Sequence, residues 1–125
     1  MIIDVSNVEN GHELTYLQVC RLKSAHIYQG VKKINDKRFN YLLVSVDVGN
    51  VLDNHIDFKK SSGISKEEGL YYIGELLEFK VYVDLYLSPN SIILSFDKQT
   101  RRDVRLDSLL NGSVSDDYME VTVEY

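Results

Sequence analysis

The segment Asp53-Asn54-His55-Ile56-Asp57 holds the side chains of this chain best suited to chemistry. On an extended backbone Asp53, His55 and Asp57 would share one face, and two carboxylates with an imidazole are ligands a divalent metal accepts. The setting argues for something simpler. The stretch is polar, lies between glycines, and has neither a second histidine nearby nor a cysteine pair, which is the composition of a solvated loop. His12 and His26 stand alone in the sequence. Cys20 lies among apolar residues without the flanking signature of a catalytic thiol, so it reads as a small core residue. Glu67-Glu68 and Glu75 with Glu78 pair carboxylates on paper, but the first turn and exposed side of a helix account for them. Neither a G-x-x-x-x-G-K-[ST] loop nor a strand followed by G-x-G-x-x-G occurs. No catalytic residue, metal ligand or cofactor is assigned, and the expectation is a protein that is not an enzyme.

Binding chemistry is better represented. The chain has nine tyrosines and no tryptophan. From Phe79 to Leu87 every odd position is apolar and the even positions are Lys80, Tyr82, Asp84 and Tyr86. Strand side chains alternate between faces, so this segment predicts one hydrophobic face and one carrying two phenols and two opposite charges. Tyrosine gives a stiff, amphipathic contact suited to interfaces. An acidic C-terminal block follows, with Asp107, Asp116, Asp117, Glu120 and Glu124. The net charge is −5. Together these predict a small acidic protein-binding module whose contacts are Tyr82, Asp84, Tyr86, Asp116, Asp117 and Glu120. Its partner would be a basic protein, toxin- or nuclease-like, and its action that of a non-catalytic inhibitor or neutraliser of the immunity or antitoxin type. Charge of this kind steers an opposite partner.

A second reading starts from the basic residues. Lys32, Lys33, Lys37 and Arg38 surround a turn, with Tyr28, Phe39 and Tyr41 interleaved. Cations beside aromatics on adjacent strands are the ingredients of a single-strand nucleic-acid platform. This alternative is an OB-like domain that binds nucleic acid through residues 28–41, extended by Lys98, Arg101, Arg102 and Arg105. Lysine-rich hairpin tips also serve to prevent edge pairing. The acidic total weighs against a general nucleic-acid binder.

The elements that would position these groups follow from pattern. Residues 14–23 leave helix and strand open: Leu14, Leu17, Cys20 and Arg21 fit a helix poorly, whereas Leu17, Val19 and Arg21 alternate against Tyr16, Gln18 and Cys20, which favours a strand. Residues 27–34 and 39–48 predict a hairpin around Asn35-Asp36-Lys37, with Leu42, Val44, Val46 and Val48 on one face. Residues 49–63 predict the longest loop. Ser65 and Glu68 form a capping box that, with Leu70, Ile73 and Leu77, predicts a helix over 65–77. Against it stand Gly69, Gly74 and the odd-position run Tyr71, Ile73, Leu77 and Phe79. Ser88-Pro89-Asn90-Ser91 predicts a turn, and Ile92, Leu94 and Phe96 an antiparallel partner for the Phe79–Leu87 strand. A short helical turn is expected near 107–111 and a last strand from Tyr118 to Tyr125.

The fold class predicted is α+β, an antiparallel sheet or partly open barrel of about five to seven strands around one main helix. Val44, Val46, Val81, Val83, Leu85, Ile92, Leu94, Phe96, Val121 and Val123 are expected to form one core. At 125 residues with 44% hydrophobic composition, a single domain over residues 1–125 is expected. One cysteine points to a reducing compartment. With no basic start before a long apolar run, no secretory signal and no membrane span are expected, so the location inferred is the cytoplasm.

Overall fold

The computed structural model describes residues 2–6, 15–34, 39–61, 69–95 and 118–124. Its first helix shows what decides local structure here. Cys20, Ser24, Ile27, Val31 and Ile34 are buried at alternating spacings of four and three, which is one stripe of an α-helix. That stripe forms α1, Tyr16–Ile34. It overturns both the strand expected over 14–23 and the first arm of the hairpin expected over 27–34. Ser24 disguises the stripe in the sequence; its hydroxyl is satisfied by donating to the Arg21 carbonyl at 2.7 Å, so it can be buried.

The remaining elements are β1 (Ile2–Asp4), β2 (Tyr41–Val44), α2 (Val46–Leu52), β3 (Lys59–Lys60), β4 (Leu70–Leu76), β5 (Phe79–Asp84), β6 (Ser91–Ser95) and β7 (Tyr118–Glu124). They make a seven-stranded sheet in the order β1-β7-β6-β2-β5-β4-β3. The α+β class holds, but the sheet is open and mixed rather than purely antiparallel: β1 runs parallel to β7, and β2 parallel to β5. β6 lies antiparallel to β2 and β7. It therefore follows β5 through the expected turn at Pro89 but is not its partner, because β2 is inserted between them.

The helix expected over 65–77 is replaced by β4 across residues 70–76, while Ser65 and Glu68 lie outside the described residues. Gly69 and Gly74 have positive φ values of 78° and 149°, which no helix accommodates. A Cβ on Gly74 would also collide with the Lys59 carbonyl of the adjacent strand. A bulge between Tyr72 and Gly74 shifts the register with β5, so the odd-position pattern changes face part-way along β4. The second hairpin arm shortens to β2, and Val46 and Val48 belong to α2. Of the expected 49–63 loop, residues 49–52 belong to α2 and Lys59–Lys60 form β3, which leaves residues 53–58 as the irregular stretch between them. The helical turn expected near 107–111 lies outside the described residues.

Both helices pack on one face of the sheet. Ile27, Val31, Ile34, Val48 and Leu52 share a buried cluster with Ile3, Leu42, Val44, Phe79, Val81, Ile92, Leu94, Val121 and Val123. Gly49 brings α2 down onto Val83, where a Cβ would come within 2.6 Å of the valine side chain. Six of the ten residues expected in one core are fully within it. Val83 is half-buried against it, and Leu85 and Val46 are exposed by 50% and 43%. Phe96 lies outside the described residues.

Candidate functional site

The sheet face turned away from the helices carries three of the residues that sequence singled out, Tyr41, Tyr82 and Glu120. Cross-strand registers place Glu120 (β7), Ile93 (β6), Leu43 (β2), Tyr82 (β5) and Tyr72 (β4) in one row. Glu120 and Tyr82 thus share a face, with β6 and β2 between their strands. At about 4.8 Å per strand they are roughly 14 Å apart. Glu120 is exposed and Tyr82 half-buried.

Tyr82 is the middle of three phenols. Its ring centroid lies 5.2 Å from that of Tyr72 and 6.1 Å from that of Tyr41, both tilted contacts. Lys80 stands 5.8 Å over the Tyr41 ring. Burial, then the Tyr41 and Tyr72 phenols, push the Tyr82 hydroxyl above its ordinary ionisation range, because each disfavours phenolate. Beside this group Leu43, Leu70 and Ile93 form a second, small buried cluster against which Tyr82 and Leu87 pack.

Asp84 does not belong to a surface. It is fully buried, and its Oδ1 accepts the Tyr86 backbone N–H at 3.0 Å. The Leu87 N–H closes on the Asp84 carbonyl at 3.3 Å, so Leu85 and Tyr86 are the central residues of a β-turn. The expectation of Asp84 as a contact residue is corrected: a carboxylate that shapes a turn is withdrawn from solvent. The same turn ends the strand at Asp84 and stops Leu85 from pointing inward. The Leu85 N–H donates to the Gly69 carbonyl at 2.8 Å, which fixes the turn against the start of β4.

The turn therefore presents what it does not bury. Leu85 is 50% and Tyr86 54% exposed, and Tyr71, 51% exposed, lies diagonally across on β4 through its pairing with Val83. Val46 is one turn before Gly49 on the side of α2 that faces Val83. Tyr86 was singled out in the sequence; Tyr71 and Leu85 were not. The signal for them is Asp84 itself, since Asp at the first position of a turn accepts the N–H two residues on.

Asp116, Asp117, Lys37 and Arg38 lie outside the described residues. Lys32 and Lys33 are exposed on the last turn of α1, in the layer that covers one sheet face, whereas Tyr41 belongs to the other face. The hairpin that was to join them over 28–41 is absent, since residues 28–34 are helical. An OB-like barrel is likewise replaced by an open sheet.

Asp53, His55 and Asp57 do not line an extended strand. Asp53 caps α2 and pairs with Lys60 at 3.4 Å. His55 stacks on Tyr28 with centroids 4.5 Å apart, and its Nδ1 accepts the Asp57 N–H at 3.0 Å. Among the described residues no group of three His, Cys, Asp or Glu side chains is placed to hold a metal. An open groove of about 750 Å³ runs between α1, α2 and the turn before β6. There Asp47 accepts the Asn90 N–H through both oxygens, at 3.0 and 3.2 Å, which ties α2 to that turn. On α1, beside the groove, the Cys20 thiol one turn on from Tyr16 raises that phenol above its usual range. No helix among the described residues is long and apolar enough to cross a membrane.

Compared with protein-family models, with curated proteins and with solved structures, the chain matches none. The site alone must carry the functional argument.

Proposed function

We propose that this chain is a non-catalytic protein-binding module that docks on a more basic partner, acting as an inhibitor or neutraliser of the immunity or antitoxin type. The observation that carries the reading is the Asp84 turn, which holds Leu85 and Tyr86 out to solvent beside Tyr71. A buried carboxylate spent on shaping a turn, and large side chains left exposed on that turn, are a poor bargain for stability alone. They suit an anchor that a partner covers. The overall charge of −5 supports a partner of opposite sign.

The mechanism is occlusion. Apolar and phenolic side chains of the turn are buried at contact, while the net charge of −5 accelerates encounter without adding much to the final affinity. The experiment is recovery of the tagged protein from its native host, followed by affinity measurements with whatever protein accompanies it. Tyr86→Ala and Tyr71→Ala are expected each to cost about 2 kcal/mol of binding, close to thirtyfold, at unchanged folding stability. Raised salt slows association. If both folded variants bind as the unaltered chain does, or if nuclease-sensitive nucleic acid accompanies the protein instead, the reading fails.

A further inference from the structure

The two edges of the sheet are finished differently. At one end β3 shows two exposed lysines, Lys59 and Lys60, the usual protection of an edge against stray pairing. At the other end β1 shows Ile2, 61% exposed, and Asp4, with neither lysine nor proline in the strand. The Val5 N–H donates to the Glu124 carbonyl at 2.7 Å, so Val5 and Ile3 turn their backbone groups towards β7. In a parallel ladder the alternate residues face away, which leaves the N–H and C=O groups of Ile2 and Asp4 on the outer side. Among the described residues no strand pairs with that side.

The surroundings of this edge differ above and below it. On the helix side, a mostly apolar groove of about 470 Å³ opens between β1 and α1, where Ala25, His26, Gln29, Gly30 and Lys33 of the helix line it together with Ile2, Ile3 and Asp4 of the strand. On the other side Asp4 and Glu124 are direct cross-strand partners and both exposed. Like charges placed opposite one another repel. Asp4 cannot swing away, because Ser6 donates to its Oδ1 from both the hydroxyl, at 2.6 Å, and the backbone N–H, at 2.9 Å. Those bonds also hold its carboxyl below the usual range and so keep it charged.

We propose that the outer edge of β1 receives an extended segment of a partner protein in which apolar residues alternate with lysine or arginine. The partner's backbone pairs with Ile2 and Asp4. Its apolar side chains enter the groove beside Ile3 and Gly30, and its cation lies over Asp4 and Glu124, with the aliphatic stem on Ile2. Alternation is required because successive side chains of a strand fall on opposite faces. This edge is separate from the Leu85–Tyr86 turn, and the inference does not depend on the docking proposed there.

The probe is a blocked, fluorescein-labelled pentapeptide alternating valine and lysine, read by anisotropy with the full chain at low salt. Saturable binding is expected, with at least a tenfold loss when glutamate replaces lysine in the peptide. Ile2→Pro removes an outward N–H without touching the ladder to β7 and should abolish binding at an unchanged denaturation midpoint. Asp4→Asn keeps an acceptor for Ser6 but not the charge, and should weaken the lysine peptide tenfold while leaving a valine–glutamine peptide unaffected. Tyr86→Ala should leave peptide binding unchanged. No binding by the unaltered chain overturns the proposal, as do Ile2→Pro and Asp4→Asn variants that bind normally. Sedimentation showing a dimer that Ile2→Pro dissociates also overturns it, since the edge then belongs to a second copy.

Discussion

Leu42 and Leu43 are adjacent on β2, neither has any exposure, and they lie in different cores. Leu42 faces the helices, among Ile27, Val31, Val81 and Leu94. Leu43 faces the opposite way, where among the described residues Leu70 and Ile93 share its buried cluster and Tyr82 and Leu87 lie at its margin. One face is apolar, aliphatic side chains with Phe39, Phe58 and Phe79, and is covered by two helices. The other mixes a small apolar centre with phenols and carboxylates. Apolar burial is concentrated on the first face, while exposed or half-buried phenols and carboxylates lie on the second and at the turn and edge where the sheet ends.

The largest effect expected from this contrast is at Leu42. Leu42→Ala should cost about 2–5 kcal/mol, near the top of that range because close-packed neighbours on two layers cannot collapse into the cavity. Leu43→Ala should lie near the bottom, since its smaller cluster has more room to relax. Denaturant midpoints of the two variants check the order. Equal costs, or a reversal, would mean that the second face is packed as rigidly as the first.

Asp84→Ala comes next, at about 1–3 kcal/mol, the range for removing a hydrogen-bonded partner from a buried site. Unlike the leucine changes it should also weaken partner binding, because the Tyr86 N–H loses the oxygen that sets the turn. A variant destabilised to this degree that still binds its partner at full affinity would separate the turn's shape from recognition.

These residues also show where sequence reading succeeds and where it stops. The β5 alternation, the turn at Pro89 and the buried positions Val121 and Val123 of β7 were legible, because each is a short pattern bounded by turn residues. The α1 stripe was obscured by the buried Ser24, whose hydrogen bond to Arg21 is invisible to a hydropathy pattern. A capping box suggested a helix where β4 forms, and the deciding facts were the positive φ values of Gly69 and Gly74 and the nearness of Lys59. That nearness is a tertiary fact. Strand order was equally out of reach: nothing local says that β2 separates β5 from β6. Tyr82, Tyr86 and Glu120 were singled out by residue type alone, and residue type could not show that the Asp84 side chain turns back to its own backbone and is buried.

Leu85 gives the next test and a smaller effect. Its place in the alternating run predicts a core truncation, whereas its half-exposed position in the turn predicts a change within about 0.5 kcal/mol for Leu85→Ala. A shift of the unfolding midpoint as large as that of Leu42→Ala would put Leu85 back in the core and remove it from the proposed docking surface.

The smallest effect concerns Tyr82 and appears only in alkali. Burial first, and the Tyr41 and Tyr72 phenols second, raise the Tyr82 ionisation in the folded chain above the 10.0 of an ordinary tyrosine. The folded state therefore prefers the neutral phenol more strongly than the unfolded state does. The associated stability is fully present below the unfolded value and is lost as pH rises from about 10 through the folded one. Tyr82→Phe cannot ionise, so its stability should fall less steeply than that of the unaltered chain over that window, with little difference between them at neutral pH. Urea midpoints at neutral pH and at successive steps above pH 10 measure this. Parallel curves for the two proteins would mean that the phenol row is solvated, and that the face opposite the helices is more open than the contacts of Tyr41, Tyr72 and Tyr82 imply.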